Sequence, residues 1–137
     1  MVVESIMTRE VITIGMDETL GEVYKTFDKH KFHHLLVIED EGLVGIISDR
    51  DVFRETSPFL FTFSGNKRDL ETLKKKTHQI MTRNMITVGK DTGIEEAASI
   101  LMKNNVSCLP VVSPKGKIEG ILTWKDILRF YVKEDSN

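Results

Sequence analysis

The chain has 137 residues, 40% hydrophobic and 29% charged, with a formal net charge of −2 at pH 7. That suits one compact body of roughly 100–200 residues with enough apolar material for a core. The balanced charge excludes a global bias toward nucleic acid or an anionic membrane, and no apolar run approaches the ~20 residues of a spanning helix. Met1-Val2-Val3-Glu4 lacks the basic start of a secretory signal, and Cys108 is the only cysteine. With no internal disulfide possible, we expect a cytoplasmic protein with no membrane association.

In chain order, "VITI" (11–14) is a short β-rich run closed by Gly15. Residues 17–31 follow as an amphipathic helix, with Asp17 near its start and Leu20, Val23, Phe27 and Lys31 three to four residues apart. "LLVIE" and "LVGIIS" are strands, and "EDEG" between them is turn chemistry, so they form a hairpin. "RDVFRE" reads as a second helix. The 57–76 connector holds the apolar "FLFTF", expected to pack on its own chain or on a second subunit. It also begins a helix-compatible stretch in which Leu70, Leu73 and Ile80 fall to one side.

The same order then recurs. "IMTREVITIG" at 6–15 returns as "IMTRNMITVG" at 80–89, with seven of ten positions identical. "MITV" is the strand, 91–105 the helix (Ile94, Ala97, Ala98, Leu101 and Met102 inward), "LPVVS" and "IEGILT" the hairpin around "SPKG", and "WKDILRFYV" the last helix. A fixed-period self-match marks a duplicated unit. We therefore expect an α/β (α+β) fold of two β-α-β-β-α repeats, 1–56 and 77–134, packed as a pseudo-twofold pair, with 135–137 as a tail. A 55-residue unit buries too little surface to be comfortable alone.

The most informative local motif is Gly-Ile-x-(Ser/Thr)-x-x-Asp, present as Gly45-Ile46-Ile47-Ser48-Asp49-Arg50-Asp51 and as Gly120-Ile121-Leu122-Thr123-Trp124-Lys125-Asp126. Two readings stay open. Ser/Thr-x-x-Asp at a strand-to-helix junction is a capping box, which contributes about 1 kcal/mol. The same geometry offers an anion site, a carboxylate for a ribose diol, and a basic residue, Arg50 or Lys125, for phosphate.

Together the doubled I-M-T-x-x-x-I-T-V opening, "VSCLPVV" (106–112) and the G-I-x-(S/T)-x-x-D endings resemble a tandem pair of CBS domains. In whole-chain character they are closest to the small acetoin-utilization-regulator type. The resemblance covers nearly the whole chain except the connector. It implies adenosine-type ligands (AMP, ADP, ATP or S-adenosylmethionine) in clefts shared by the repeats. Carried over, one site combines Ser48 and Asp51 with Thr82, Ile86, Val106, Ser107 and Pro110; the other combines Thr123 and Asp126 with Thr8, Ile12, Phe32, His33 and Leu36. "FHHLL" replaces "VSCLP" at the second.

His30, His33 and His34 are not expected to bind metal, since adjacent strand residues face opposite ways. Cys108 reads as a small buried apolar residue. No nucleophile–base set, phosphate loop or dinucleotide fingerprint is present. The expectation is a non-enzymatic regulatory module, or alternatively a structural interaction module with vestigial sites. No cofactor is required. We further expect a homodimer that signals to a protein partner, with no output domain in this chain. Phe53, Leu128 and Tyr131 are the candidate dimer surface.

Overall fold

In a computed structural model of the chain, residues 1–55 and 72–135 are described. They divide into two compact units, Ile12–Asn84 and Met1–Val11 with Met85–Asn137. The expectations for "FLFTF", and for Leu70 in the connector helix, lie outside the described residues.

In the Ile12–Asn84 unit, β1 (Thr13–Gly15) pairs in parallel with β2 (His34–Glu39), which pairs antiparallel with β3 (Gly42–Ser48). Helix α1 (Leu20–Lys29) connects β1 to β2, and α2 (Asp49–Glu55) follows β3. Thr19, rather than Asp17, caps α1 in a reciprocal box with Glu22, each bond 3.3 Å. The helix ends before Lys31. A short helix, α3 (Thr77–Ile80), is tied to the α1 entry by Thr77 N–H and Oγ1, both donating to the Glu18 carbonyl at 2.8 Å. Ile14, Leu20, Val23, Leu35, Val37, Ile47, Val52 and Met81 form the core.

The second unit holds α4 (Ile94–Asn104), the β4–β5 hairpin (Cys108–Val112, Ile118–Thr123) and α5 (Trp124–Asp135). Its core is Val3, Met7, Val88, Ile94, Ala97, Leu101, Leu109, Val111, Leu122 and Ile127. Met102, expected inward, is exposed; Ile94, Ala97 and Leu101 complete the buried stripe, and Met102 falls beyond its edge. The expected strand "MITV" reduces to a single bridge of Val88 with Val111. In the first repeat Leu36 N–H donates to the Ile12 carbonyl at 3.2 Å. The aligned residue in the second is Pro110, which has no N–H, so the bond toward Ile86 cannot form.

The repeated "IMT" phrase has a crossed destination. Ile46 and Thr82 exchange both backbone hydrogen bonds, at 3.0 and 2.9 Å, and Ile121 and Thr8 do the same at 2.9 Å each. The opening phrase of each repeat thus lies on the return strand of the other repeat's hairpin, within one compact unit in each case.

Candidate functional site

Both motifs fold as capped helix starts. At α2, Ser48 N–H donates to Asp51 Oδ2 at 2.8 Å, and Asp51 N–H donates to Ser48 Oγ at 3.1 Å. At α5, Thr123 N–H donates to Asp126 Oδ2 at 3.0 Å, and Asp126 N–H donates to Thr123 Oγ1 at 3.3 Å. The capping reading is therefore realised in both copies, and it leaves the ligand reading open wherever the carboxylate keeps free lone pairs.

The two carboxylates differ in that respect. The Asp51 side chain is 18% exposed; apart from the Ser48 amide, its charged neighbour is Arg54, 3.6 Å from Oδ1. That is too long for a good hydrogen bond. Asp126 is 4% exposed. It accepts further bonds from Thr123 Oγ1 at 3.2 Å and from Thr8 Oγ1, 3.2 Å to Oδ1 and 3.3 Å to Oδ2, with Arg129 3.6 Å away. Among the described residues no hydrogen bond joins Thr82 to Asp51, and Thr82 is exposed.

Arg50 and Lys125 are exposed. The cations beside the carboxylates are instead Arg54 and Arg129, one helical turn on. Their signal was in the sequence, because the two arginines occupy matching positions of the repeat.

Of the other expected site residues, Thr82 joins Ser48 and Asp51 in one unit, and Thr8 joins Thr123 and Asp126 in the other. Ile86, Val106, Ser107 and Pro110 belong to the Asp126 unit; Ile12, Phe32, His33 and Leu36 belong to the Asp51 unit. Leu36 and Pro110 are buried strand residues. Each strand start is anchored to the helix of its own repeat. Asp49 N–H donates to the His33 carbonyl at 3.0 Å, and Trp124 N–H donates to that of Ser107 at 3.3 Å.

His33 Nδ1 lies 2.7 Å from Asp49 Oδ2. Its neighbour His34 is held below the ordinary histidine range, chiefly by burial and partly by His33 and Arg50, while Asp49 and Asp51 oppose the shift. A cavity of about 350 Å³ in this unit is lined by Tyr24, Phe27, Phe32, His33, Asp49 and Phe53 among others, and it reaches neither Ser48 nor Asp51. Burial pushes the Cys108 thiol up to about 12. Among the described residues no cluster of three or more His, Cys, Asp or Glu side chains is arranged to hold a metal, and no helix is long and apolar enough to cross a membrane.

A duplicated unit of one element order, its first strand reduced to a single bridge in the second copy, with a capped Ser/Thr-x-x-Asp helix start in each copy, defines a tandem-repeat module. The CBS domain profile matches residues 3–57 and 78–133, and the chain belongs to the CBS domain family. A CBS domain-containing protein of Dictyostelium discoideum is 36% identical over 134 residues, 96% of this chain and 91% of that protein. The CBS domain pair of protein MJ0100, solved in complex with 5′-methylthioadenosine and S-adenosyl-L-methionine, superposes with a TM-score of 0.80 at 29% identity, covering 98% of each chain. CBSX2 in complex with AMP gives 0.79 at 27% identity, again over 98% of each chain. An acetoin utilization protein from Vibrio cholerae shares the fold, with a TM-score of 0.79 at 23% identity over 99% of this chain and 93% of that one. Some relatives are longer: the chain spans 23% of an inosine-5′-monophosphate dehydrogenase of Methanocaldococcus jannaschii, at 30% identity.

Proposed function

We propose that the protein is a non-enzymatic regulatory module that binds an adenosine-type ligand (AMP, ADP, ATP or S-adenosylmethionine) and passes its bound state to a protein partner. The observation that carries this reading is Asp51. It is a carboxylate held in place by the Ser48 amide, yet 18% exposed and, among the described residues, with no short hydrogen bond at Oδ1. Such a group accepts the two hydroxyls of a ribose. Arg50 is exposed on the same helix turn and available to phosphate. The solved CBS pairs bound to AMP and to S-adenosyl-L-methionine support the ligand class.

The proposal includes Thr82, Ile86, Val106, Ser107 and Pro110 as further contacts of the ligand on Asp51. It assigns Ile12, Phe32, His33, Leu36 and Lys125 to a ligand on Asp126, where Thr8 already stands at the carboxylate, with no metal and no cofactor required. We place the protein in the cytoplasm on the strength of its single buried thiol. A homodimer is part of the same reading. Phe53 on α2 and Leu128, Tyr131 and Val132 on α5 are exposed apolar side chains, and Phe53 and Leu128 are matching positions of the repeat.

For the Asp126 position one observation favours the structural alternative, because that carboxylate is already buried and bonded within its own unit. A melting series separates the readings. A ligand at a hundredfold excess over its dissociation constant adds about 2.7 kcal/mol of stability. If AMP, ADP, ATP and S-adenosylmethionine all leave the melting point unmoved at millimolar concentration, the sites are vestigial.

A further inference from the structure

Asp126 and Asp51 occupy the same position of the repeat, but among the described residues only Asp126 is engaged by a hydroxyl from outside its own motif. A carboxylate offers about four lone-pair positions. On Asp126 they face the Thr123 amide, the Thr123 hydroxyl, the Thr8 hydroxyl and Arg129. On Asp51, among the described residues, only the Ser48 amide makes a short bond, Arg54 stands 3.6 Å from Oδ1 as Arg129 does at Asp126, and the matching threonine, Thr82, is exposed with no hydrogen bond to the carboxylate.

The difference is local to the two threonine side chains. The backbones of Thr8 and Thr82 pair with Ile121 and Ile46 in the same way, at nearly the same distances. The Thr8 hydroxyl has therefore turned onto a carboxylate that is 4% exposed, where a lost bond leaves an acceptor without compensation.

We propose that Thr8 sets the affinity of the Asp126 site by occupying, in the ligand-free protein, the place a ligand hydroxyl would take. The proposal rests on the adenosine-binding reading and gives it a direction. A diol approaching Asp126 displaces the Thr8 Oγ1 bond before it makes its own, so the exchange returns one hydrogen bond fewer than at Asp51. Thr8 is an internal competitor there rather than a ligand contact. Because Thr8 sits on the opening segment of the chain, 118 residues from Asp126, occupation of this site frees a hydroxyl on that segment. The Asp51 site has no counterpart.

The test is the sign of one change. Isothermal titration with AMP, and in parallel with S-adenosylmethionine, is carried out on the full chain in an Asp51→Asn background, so that the Asp126 site alone reports. Thr8→Val is isosteric, keeps the backbone pairing and removes the hydroxyl. It should tighten binding about three- to tenfold, the equivalent of one ordinary hydrogen bond no longer broken. Thr8→Ser, which restores the hydroxyl, should return the starting affinity. In the reciprocal Asp126→Asn background, Thr82→Val should bring no gain. If Thr8→Val fails to fold, Thr8→Ala carries the same readout. Weaker or unchanged binding in the hydroxyl-free variant overturns the competitor role and leaves the adenosine-binding reading standing. Absence of binding by the otherwise wild-type chain to either probe overturns both.

Discussion

Met81 lies on Gly45. A Cβ at Gly45 would meet Met81 Sδ at 2.5 Å and the Thr82 carbonyl oxygen at 3.2 Å. In the other unit a Cβ at Gly120 would meet the Thr8 carbonyl oxygen at 2.8 Å and Met7 Sδ at 3.0 Å. The repeated "MT" and the glycine that begins Gly-Ile-x-(Ser/Thr)-x-x-Asp are therefore two halves of one contact. The thioether lies over the strand where no side chain stands, and that brings Thr8 and Thr82 to their hairpins.

Both glycines should resist alanine, and not equally. At Gly45 the worst clash is with the movable end of a methionine, whereas at Gly120 it is with backbone. Gly120→Ala should cost about 1–3 kcal/mol, and Gly45→Ala less. Urea denaturation of the two variants tests the order. Equal or reversed costs would mean that the return strand of the second unit yields more readily than its packing implies.

The β2–β3 hairpin turns through Asp40 and Glu41 with φ of 49° and 67°. Two left-handed residues in a two-residue loop favour Asn-Gly or Asp-Gly. Glu41→Gly should stabilise the chain by up to about 1 kcal/mol, since it removes the Cβ penalty of that conformation. A lower denaturation midpoint in this variant would count against the turn geometry.

His34 should make stability depend on pH. Its folded pKa lies below the unfolded value near 6.5, so between the two the unfolded chain binds more protons. Stability is therefore retained above about pH 6.5 and falls as pH drops below it, until the folded value is also passed. Asp49 and Asp51 moderate the effect, and His33 and Arg50 reinforce it. His34→Gln should flatten the melting temperature between pH 7.5 and 5.5 relative to the wild type; an unchanged slope would place the dependence elsewhere.

Cys108 should be chemically silent in the folded protein. Its thiol is buried and pushed up to about 12, so almost no thiolate is present at pH 8. Iodoacetamide should label it only on the timescale of unfolding, as intact-mass kinetics with and without urea would show. Rapid labelling under native conditions would refute this.

The element order was legible because duplication displays it twice and because Leu20, Val23 and Phe27, or Ile94, Ala97 and Leu101, mark helix faces by spacing alone. The capped helix starts at Ser48–Asp51 and Thr123–Asp126 were legible because a capping box is a local pattern. The lost strand around Ile86 was legible in principle, since Pro110 stands where Leu36 donates; seeing it requires the pairing register, which spacing does not supply. The crossed placement of Met7-Thr8 and Met81-Thr82 was not legible in the phrase itself, because nothing in ten residues says which of two similar hairpins they will lie on; the pairing of Thr82 with Ser48 and Asp51, and of Thr8 with Thr123 and Asp126, came only from the family resemblance. What neither source held was the hydroxyl bond of Thr8 to Asp126 and its lack of a match at Thr82 among the described residues. The arginines at 54 and 129 lay within reach of sequence reasoning. A residue three positions after the aspartate faces it across one helical turn, whereas Arg50 and Lys125, immediately before it, are exposed and form no ion pair with it among the described residues.

Titration of AMP and S-adenosylmethionine into the purified protein, with Asp51→Asn alongside, bears most directly on the adenosine-binding function. The wild type should bind at least one of them saturably. Asp51→Asn should lower that affinity tenfold or more through lost charge-assisted bonds, while the ligand-free variant loses about 1 kcal/mol of stability or less. No binding by the wild type, or equal binding by the variant, would contradict the role assigned to Asp51.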